Sequence, residues 1–223
     1  MESNNKQIKL PSLQTKKETK NNYNKMSKWY DLFAGFERKY REIGLKLLNP
    51  EPSNNILEIG FGTGRSIAKL VETTAPNGQI FGIDLSDGMC KKTNSIVKKK
   101  RIADRIFITC ADAIEMPFRD DVFDQIFISF TIELFDLIEI PLVLANCKRV
   151  LKNHGQICIV TLSRRKVNLM VKLYERAHNR FPKIIDCRPI LIEKLLQGNN
   201  FQIKKIVEKK MWGLPVDIIL AEK

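Results

Sequence analysis

Between residues 55 and 162, short apolar runs alternate with segments whose apolar positions recur every three or four residues. Runs near 55–59, 79–84, 106–110, 123–130 and 156–162 are strand-length and rich in Ile, Val and Phe, as buried strands are. Helical spacing separates them, and that alternation predicts a parallel sheet with helices on both faces. A helix is expected upstream over 36–48, closed by Pro50 and Pro52. The end of the chain reads differently. Pro189 opens a helix whose C-terminal glycine is Gly198, and two strands follow at 201–210 and 216–222, separated by Trp212-Gly-Leu-Pro215. So short a connection cannot form a parallel crossover, so these two strands are expected to pair antiparallel. The fold expected is α/β: a doubly wound, seven-stranded sheet ending in an antiparallel hairpin.

Two segments modify that outline. Over 165–181, Val167, Met170, Val171, Tyr174, Ala177 and Phe181 share one helical face, while Arg164, Lys172, Arg176 and Arg180 lie largely elsewhere. Such a stripe either packs on the core or forms a lid over an apolar acceptor with a basic outer side. The stretch 126–147 is apolar enough to suggest a membrane span, but Glu133, Asp136, Glu139 and Pro141 interrupt it. Each central charge opposes insertion by about 2.5–3.5 kcal/mol. The expected organisation is a flexible basic arm at 1–20 followed by one domain at 21–223, with an N-terminal cap at 21–50 and a lid-like helical insertion at 163–187.

Charge is unevenly placed. The 223 residues carry a net +13. Seven Lys face two acids in 1–28, and thirteen Lys or Arg face four acids in 161–210, while the rest is close to neutral. The basic covers suit a solvated surface, an anionic acceptor or an acidic membrane. Nucleic acid is a further possible partner, although no aromatics alternate with the bases as single-strand binding would require. Five scattered cysteines without a Cys-x-x-Cys pair point to reduced thiols in a cytoplasm. With only two histidines, no metal-ligand cluster is expected. The polar, Lys-rich N-terminus shows no secretory signal. Localisation is expected to be cytoplasmic, with peripheral membrane contact as an addition.

The densest chemistry lies in Asn55-Ile-Leu-Glu-Ile-Gly-Phe-Gly-Thr-Gly-Arg65, a strand that ends in a glycine-rich turn and opens a helix. Gly60, Gly62 and Gly64 allow a tight turn and close approach of a ligand, and Thr63 is placed to cap the helix. The second strand ends in Asp84. In a doubly wound sheet it lies beside the first turn, where a carboxylate can accept bonds from both ribose hydroxyls; the alternative is a loop or capping aspartate. Arg65 stands where a dinucleotide fingerprint carries its third glycine, which argues against a pyrophosphate. Glu58 would repel phosphate but hold an ammonium group.

These motifs resemble those of class I S-adenosylmethionine-dependent methyltransferases. Leu57-Glu-Ile-Gly-Phe-Gly-Thr-Gly64 is similar to the family's first motif, and Gly82-Ile-Asp-Leu-Ser-Asp-Gly-Met89 to its second-strand motif. Asp112-Ala113, then Met116-Pro-Phe118 and Phe123-Asp-Gln-Ile-Phe127, resemble the segment leading into strand four. Arg149-Val-Leu-Lys-Asn-His-Gly155 resembles the turn before strand five, with His154 where glycine or proline is more usual. Within the class, the likeness is greatest to the ubiquinone and menaquinone biosynthesis methyltransferases and the phospholipid N-methyltransferases. Tyr23 and Tyr30-Asp31 resemble their N-terminal cap. After strand four those enzymes tend to carry an Arg-Asn pair, and this chain reads Phe130-Thr-Ile-Glu-Leu-Phe135.

The resemblance implies a Rossmann-like fold, S-adenosyl-L-methionine as cofactor, and a small-molecule or lipid-like acceptor of quinone or phospholipid type. Gly60, Gly62 and Gly64 would then meet the methionine carboxylate, Glu58 the amino group and Asp84 the ribose. Leu85 and Met89 would flank the adenine, Asp112 and Ala113 would address its amine, Ser129 would line the methyl end, and Tyr23 and Tyr30 would close the top. If a proton must leave the acceptor, Glu133 is the leading base, ahead of Asp31 and His178. An RNA methyltransferase is the competing enzyme reading, yet Ser129-Phe-Thr-Ile132 lacks the Asp/Asn-Pro-Pro-aromatic run of amine-methylating enzymes. A non-catalytic cofactor-binding module is the third reading.

Overall fold

The computed structural model describes residues 30–99, 103–180 and 187–223, except for the side chains of 30–34 and 99. The basic arm and the Tyr23 part of the cap therefore lie outside the described residues. Seven strands form one sheet: β1 (Asn55–Ile59), β2 (Gln79–Asp84), β3 (Ile106–Cys110), β4 (Phe123–Ser129), β5 (Leu151–Leu162), β6 (Gln202–Met211) and β7 (Leu214–Glu222). Their order is β3-β2-β1-β4-β5-β7-β6. β7 runs antiparallel to both neighbours, and the remaining pairs are parallel. This is the Rossmann-like sheet with a C-terminal antiparallel hairpin that the apolar pattern predicts.

The central strands are rich in apolar residues because both faces are covered, whereas the edge strand β6 is mostly exposed and carries Lys204, Lys205, Glu208, Lys209 and Lys210. On one face Ile56, Phe127, Cys158, Val160 and Ile218 meet helices α1 (Tyr30–Leu48), α2 (Arg65–Thr73) and α3 (Asp87–Lys99). On the other, Leu57, Ile126, Ile128, Ile157 and Ile219 meet α4 (Ile140–Val150) and α6 (Ile192–Gly198). α5 (Leu169–Arg180) contributes only Val171 to the buried core.

α1 sits unusually close to the sheet. A Cβ on Gly44 would fall 2.6 Å from Val160 Cγ2 and 3.0 Å from Phe127 Cε2. The Cys158 thiol donates to Gly44 O (3.4 Å), and the Gln125 amide donates to Leu48 O (2.8 Å).

Three local expectations need correction. Pro189 does not begin a helix: Ile190 pairs with Ser163 in an extended bridge, and α6 starts at Ile192. Its last residue is Gly198, as expected, and the left-handed residue beyond it is Asn200 (φ 59°). The hairpin loop is only Trp212-Gly213, since Leu214 already pairs with Met211. The helix over 165–181 is shorter than predicted, and Val167 and Met170 are exposed although they belong to the expected buried stripe. His154 has φ 62°, the left-handed conformation that explains why glycine is more usual there.

Gly44→Ala tests the close approach of α1. The gain in helix propensity is about 1 kcal/mol, and overpacking costs about 1–3 kcal/mol against a stiff Val160. The expected outcome is a melting temperature lower by about 2–6 °C, read by circular dichroism.

Candidate functional site

Strand order reverses between β1 and β4, so the crevice outside their carboxyl ends is where a ligand binds in such a sheet. The glycine turn lies there. Gly60 N–H donates to Ile83 O (2.8 Å), drawing the turn against β2. Gly62 N–H donates to Asp84 Oδ2 (3.0 Å), and Ser86 N–H donates to Oδ1 (2.9 Å). Asp84 thus joins the tips of the first two strands. Burial raises its carboxyl above the usual range, opposed by those two backbone bonds.

Gly60 and Gly64 both have φ of +71°, and neighbouring threonines forbid a side chain at either. A Cβ on Gly60 would lie 2.2 Å from Thr131 Cγ2, and one on Gly64 would lie 2.6 Å from Thr93 Cγ2. The same threonines hydrogen-bond the turn: Thr131 Oγ1 donates to Gly60 O (3.3 Å) and Thr93 Oγ1 to Gly62 O (3.1 Å). Thr63 is buried and does not occupy the N-cap; Gly64 does, and no side chain caps α2. The positive end of that helix is left at the crevice, a setting suited to a carboxylate.

Three buried polar atoms here lack a hydrogen-bond partner: Glu58 Oε2, Ser129 Oγ and Glu133 Oε2. Glu58 is 2% exposed and receives the Ser66 hydroxyl, and burial pushes its carboxyl up to about 8 against the pull of Arg41 on α1. Glu133 lies in a single 3-10 turn, Ile132–Leu134, that follows β4. It is 1% exposed, accepts Leu162 N–H at Oε1 (3.2 Å), and is likewise pushed up to about 8 by burial. Leaving such atoms unpaired costs about 1–3 kcal/mol each.

The crevice continues at the end of β3. Ala111 N–H donates to Asp84 O (3.2 Å), and Asp112 Oδ1 accepts Ile114 N–H (3.0 Å), starting a 3-10 turn over Ala113–Glu115 in which Ala113 is buried. Leu85 is half-buried, and Met89, in the first turn of α3, is buried in the core. Gly60, Gly62, Gly64, Glu58, Asp84 and Ser129 therefore share the crevice edge, with Asp112 and Ala113 one strand further. Tyr23 and the side chains of Tyr30 and Asp31 lie outside the described residues. His178 is in the last turn of α5. Tyr40, Arg41 and Thr131 went unrecognised in the sequence. Tyr40 is signalled only by its place on the buried stripe of α1; its hydroxyl donates to Lys210 O (2.6 Å) and its ring meets Phe130 edge-on at 6.2 Å.

Residues 12–186 match the model of the ubiE/COQ5 methyltransferase family. The chain belongs to that family. It is 28% identical over 171 residues to the ubiquinone/menaquinone biosynthesis C-methyltransferase UbiE of Pseudomonas putida, covering 74% of this chain and 66% of the relative. It is 31% identical over 154 residues to the UbiE of Citrifermentans bemidjiense, covering 69% of this chain and 63% of that one. The match thus spans somewhat less than two thirds of these relatives' length. A crystal structure of geranyl diphosphate C-methyltransferase from Streptomyces coelicolor A3(2) superposes with a TM-score of 0.71 at 14% identity, over 83% of this chain and 79% of that one. That likeness concerns the fold.

The ubiE/COQ5 crevice of this chain fits S-adenosylmethionine. The orphaned Glu58 oxygen suits an ammonium, the uncapped start of α2 a carboxylate, and Asp84 a pair of hydroxyls.

The buried glutamates give a stability signature. Glu58 and Glu133 hold their protons to about pH 8 in the folded chain, against 4.5 ordinarily. Between those values the unfolded chain binds fewer protons, so stability falls as pH rises from about 5 to 8. Glu58→Gln with Glu133→Gln should flatten this slope relative to the native chain in urea unfolding followed at several pH values.

Proposed function

We propose that this chain is an S-adenosylmethionine-dependent methyltransferase that methylates a ring carbon of a quinone-type acceptor. The supporting observation is the crevice at the carboxyl ends of β1 and β4, where Asp84 fixes the glycine turn and Glu58, Ser129 and Glu133 each present a buried, unpaired oxygen. The acceptor class draws its support from the relatives, which carry the name of ubiquinone/menaquinone biosynthesis C-methyltransferases. Among the described residues, no helix is long and apolar enough to cross a membrane.

When bound, the cofactor supplies a methyl group already activated by a sulfonium. The protein's own contribution is then placement, which can amount to about 7–11 kcal/mol when the acceptor atom is held in line. In this reading the uncapped N-terminus of α2, beside the glycine turn, holds the methionine carboxylate, Glu58 its ammonium and Asp84 the ribose. Leu85 and Met89 flank the base, Asp112 and Ala113 address its amine, and Ser129 lines the methyl end. Tyr23 and Tyr30 belong to the cap that closes above.

Glu133 acts as the base. With the methyl group supplied by the bound cofactor, the acceptor's ring carbon would give up its proton to the Glu133 carboxylate, the C–H electron pair returning to the ring. The base must be ionised first, so turnover rises with pH towards about 8, where burial sets its carboxyl. Glu133→Gln is expected to lower kcat by about 10²–10⁴ while leaving cofactor binding in place.

S-adenosylmethionine or its demethylated product should raise the melting temperature of the native chain, and Asp84→Ala should abolish the rise. Labelled methyl donor incubated with separate quinone, phospholipid, small-amine and RNA fractions should label the quinone fraction. Label confined to RNA would transfer the assignment to a nucleic-acid enzyme. No thermal shift at millimolar cofactor would remove the methyltransferase reading itself.

A further inference from the structure

A tryptophan stands where the backbone resists it. The loop joining β6 to β7 has two residues, Trp212 at φ 52° and Gly213 at φ 83°, so both are left-handed as in a type I′ turn. Asn, Asp or Gly suit the first of these positions, and a bulky side chain there is an outlier whose retention needs a reason. Packing is not that reason: Trp212 is 59% exposed, and Phe36, which its ring meets edge-on, is itself 52% exposed, with centroids 4.7 Å apart.

The turn is part of a larger surface. α5 is tied to it, since Asn168 Nδ2 donates to Gly213 O (3.0 Å) and Met170 lies against Gly213, 3.0 Å from where its Cβ would be. From α5, Leu169 (71% exposed), Met170 and Leu173 point outward, opposite the buried Val171. Lys172 and Arg176 are exposed on the same side as Leu169 and Leu173. Between 163 and 180 there are six Lys or Arg and one Glu, and Lys209 and Lys210 flank the turn. The patch lies at the carboxyl edge of the parallel strands, because Val216 near the start of β7 pairs with Leu162 at the end of β5. It therefore borders the mouth of the crevice.

We infer that Trp212, Phe36 and the outer side of α5 form a docking surface for an anionic phospholipid bilayer. An exposed aromatic beside aliphatic side chains seats at the boundary between head groups and acyl chains. The neighbouring cations reach lipid phosphates while their stems lie along the apolar surface. A second copy of this chain would bring one strongly cationic patch against another, so charge favours the lipid. The surface stands independently of the acceptor assigned above, and it turns the crevice mouth towards the bilayer.

The test is vesicle flotation of the full chain with phosphatidylcholine alone and with added phosphatidylglycerol. Binding is expected only with the anionic lipid and should weaken with salt. In a Trp29→Phe background, Trp212 emission should be quenched by brominated acyl chains. Trp212→Asn should weaken partitioning at least about tenfold with its melting temperature unchanged or raised, since Asn suits the turn. Lys172→Glu with Arg176→Glu, at exposed positions, should lower partitioning at least about fivefold per cation.

Unchanged flotation of Trp212→Asn, unquenched Trp212 emission, or equal binding to neutral vesicles would each overturn the inference. So would a dimer in sedimentation equilibrium that buries Trp212 and ignores vesicles. The thermal shift with S-adenosylmethionine, measured on every variant, separates failure of docking from failure of the cofactor reading.

Discussion

The bond from Gly62 N–H to the Asp84 carboxylate is the constraint on which the site depends. It closes a path from the tip of β1 to the tip of β2, and Ser86 N–H fixes the other oxygen of the same carboxylate. From the opposite side Thr131 and Thr93 press on Gly60 and Gly64 and bond the turn's carbonyls. The turn is thus held between an acid and two threonines of its own chain. A ligand entering the crevice meets a shape already set, and less of its binding energy is spent on ordering the loop.

Beneath that turn the chain keeps two carboxyl groups almost fully out of water. Glu58 and Glu133 could be replaced by apolar side chains with a gain in stability, because a buried acid with an unpaired oxygen is a cost to folding. Their presence fits a site whose polarity serves something other than the fold. Arg41 beside one and Glu37 beside the other show that α1 contributes to the electrostatics as well as to the cover. The function proposed above gives that polarity a use: an ammonium for one acid, a departing proton for the other.

Most of the architecture was legible in the sequence, and physical reasons explain where it was not. Central strands buried on both faces leave runs rich in Ile, Val and Phe, which is why they were legible, while β5 begins at Leu151, ahead of the expected 156, because its polar opening Lys152-Asn-His154 carries no such signal. Asp84 and the glycine turn were readable together because their adjacency follows from doubly wound topology. The reason Gly60 must be glycine was not readable, since it lies in Thr131, 71 positions away. Nor was the role of Tyr40, which bonds a carbonyl 170 residues on. The stripe on α5 misled because helical periodicity reports that a face is apolar without saying what covers it, and only Val171 of that helix is buried. Trp212-Gly-Leu-Pro215 read as a four-residue connection because Pro215 suggests a loop; it sits instead in β7, opposite Lys210.

The place of β7 bears on how the molecule is made. It is the last of the seven strands to leave the ribosome, yet it lies inside the sheet, between β5 and β6. Until it arrives, β5 presents an open edge with no covalent neighbour to shield it. The nascent chain can close the first four strands early, but the second half of the sheet must wait for translation to reach Glu222. Any factor that protects this polypeptide during synthesis would act on that waiting edge.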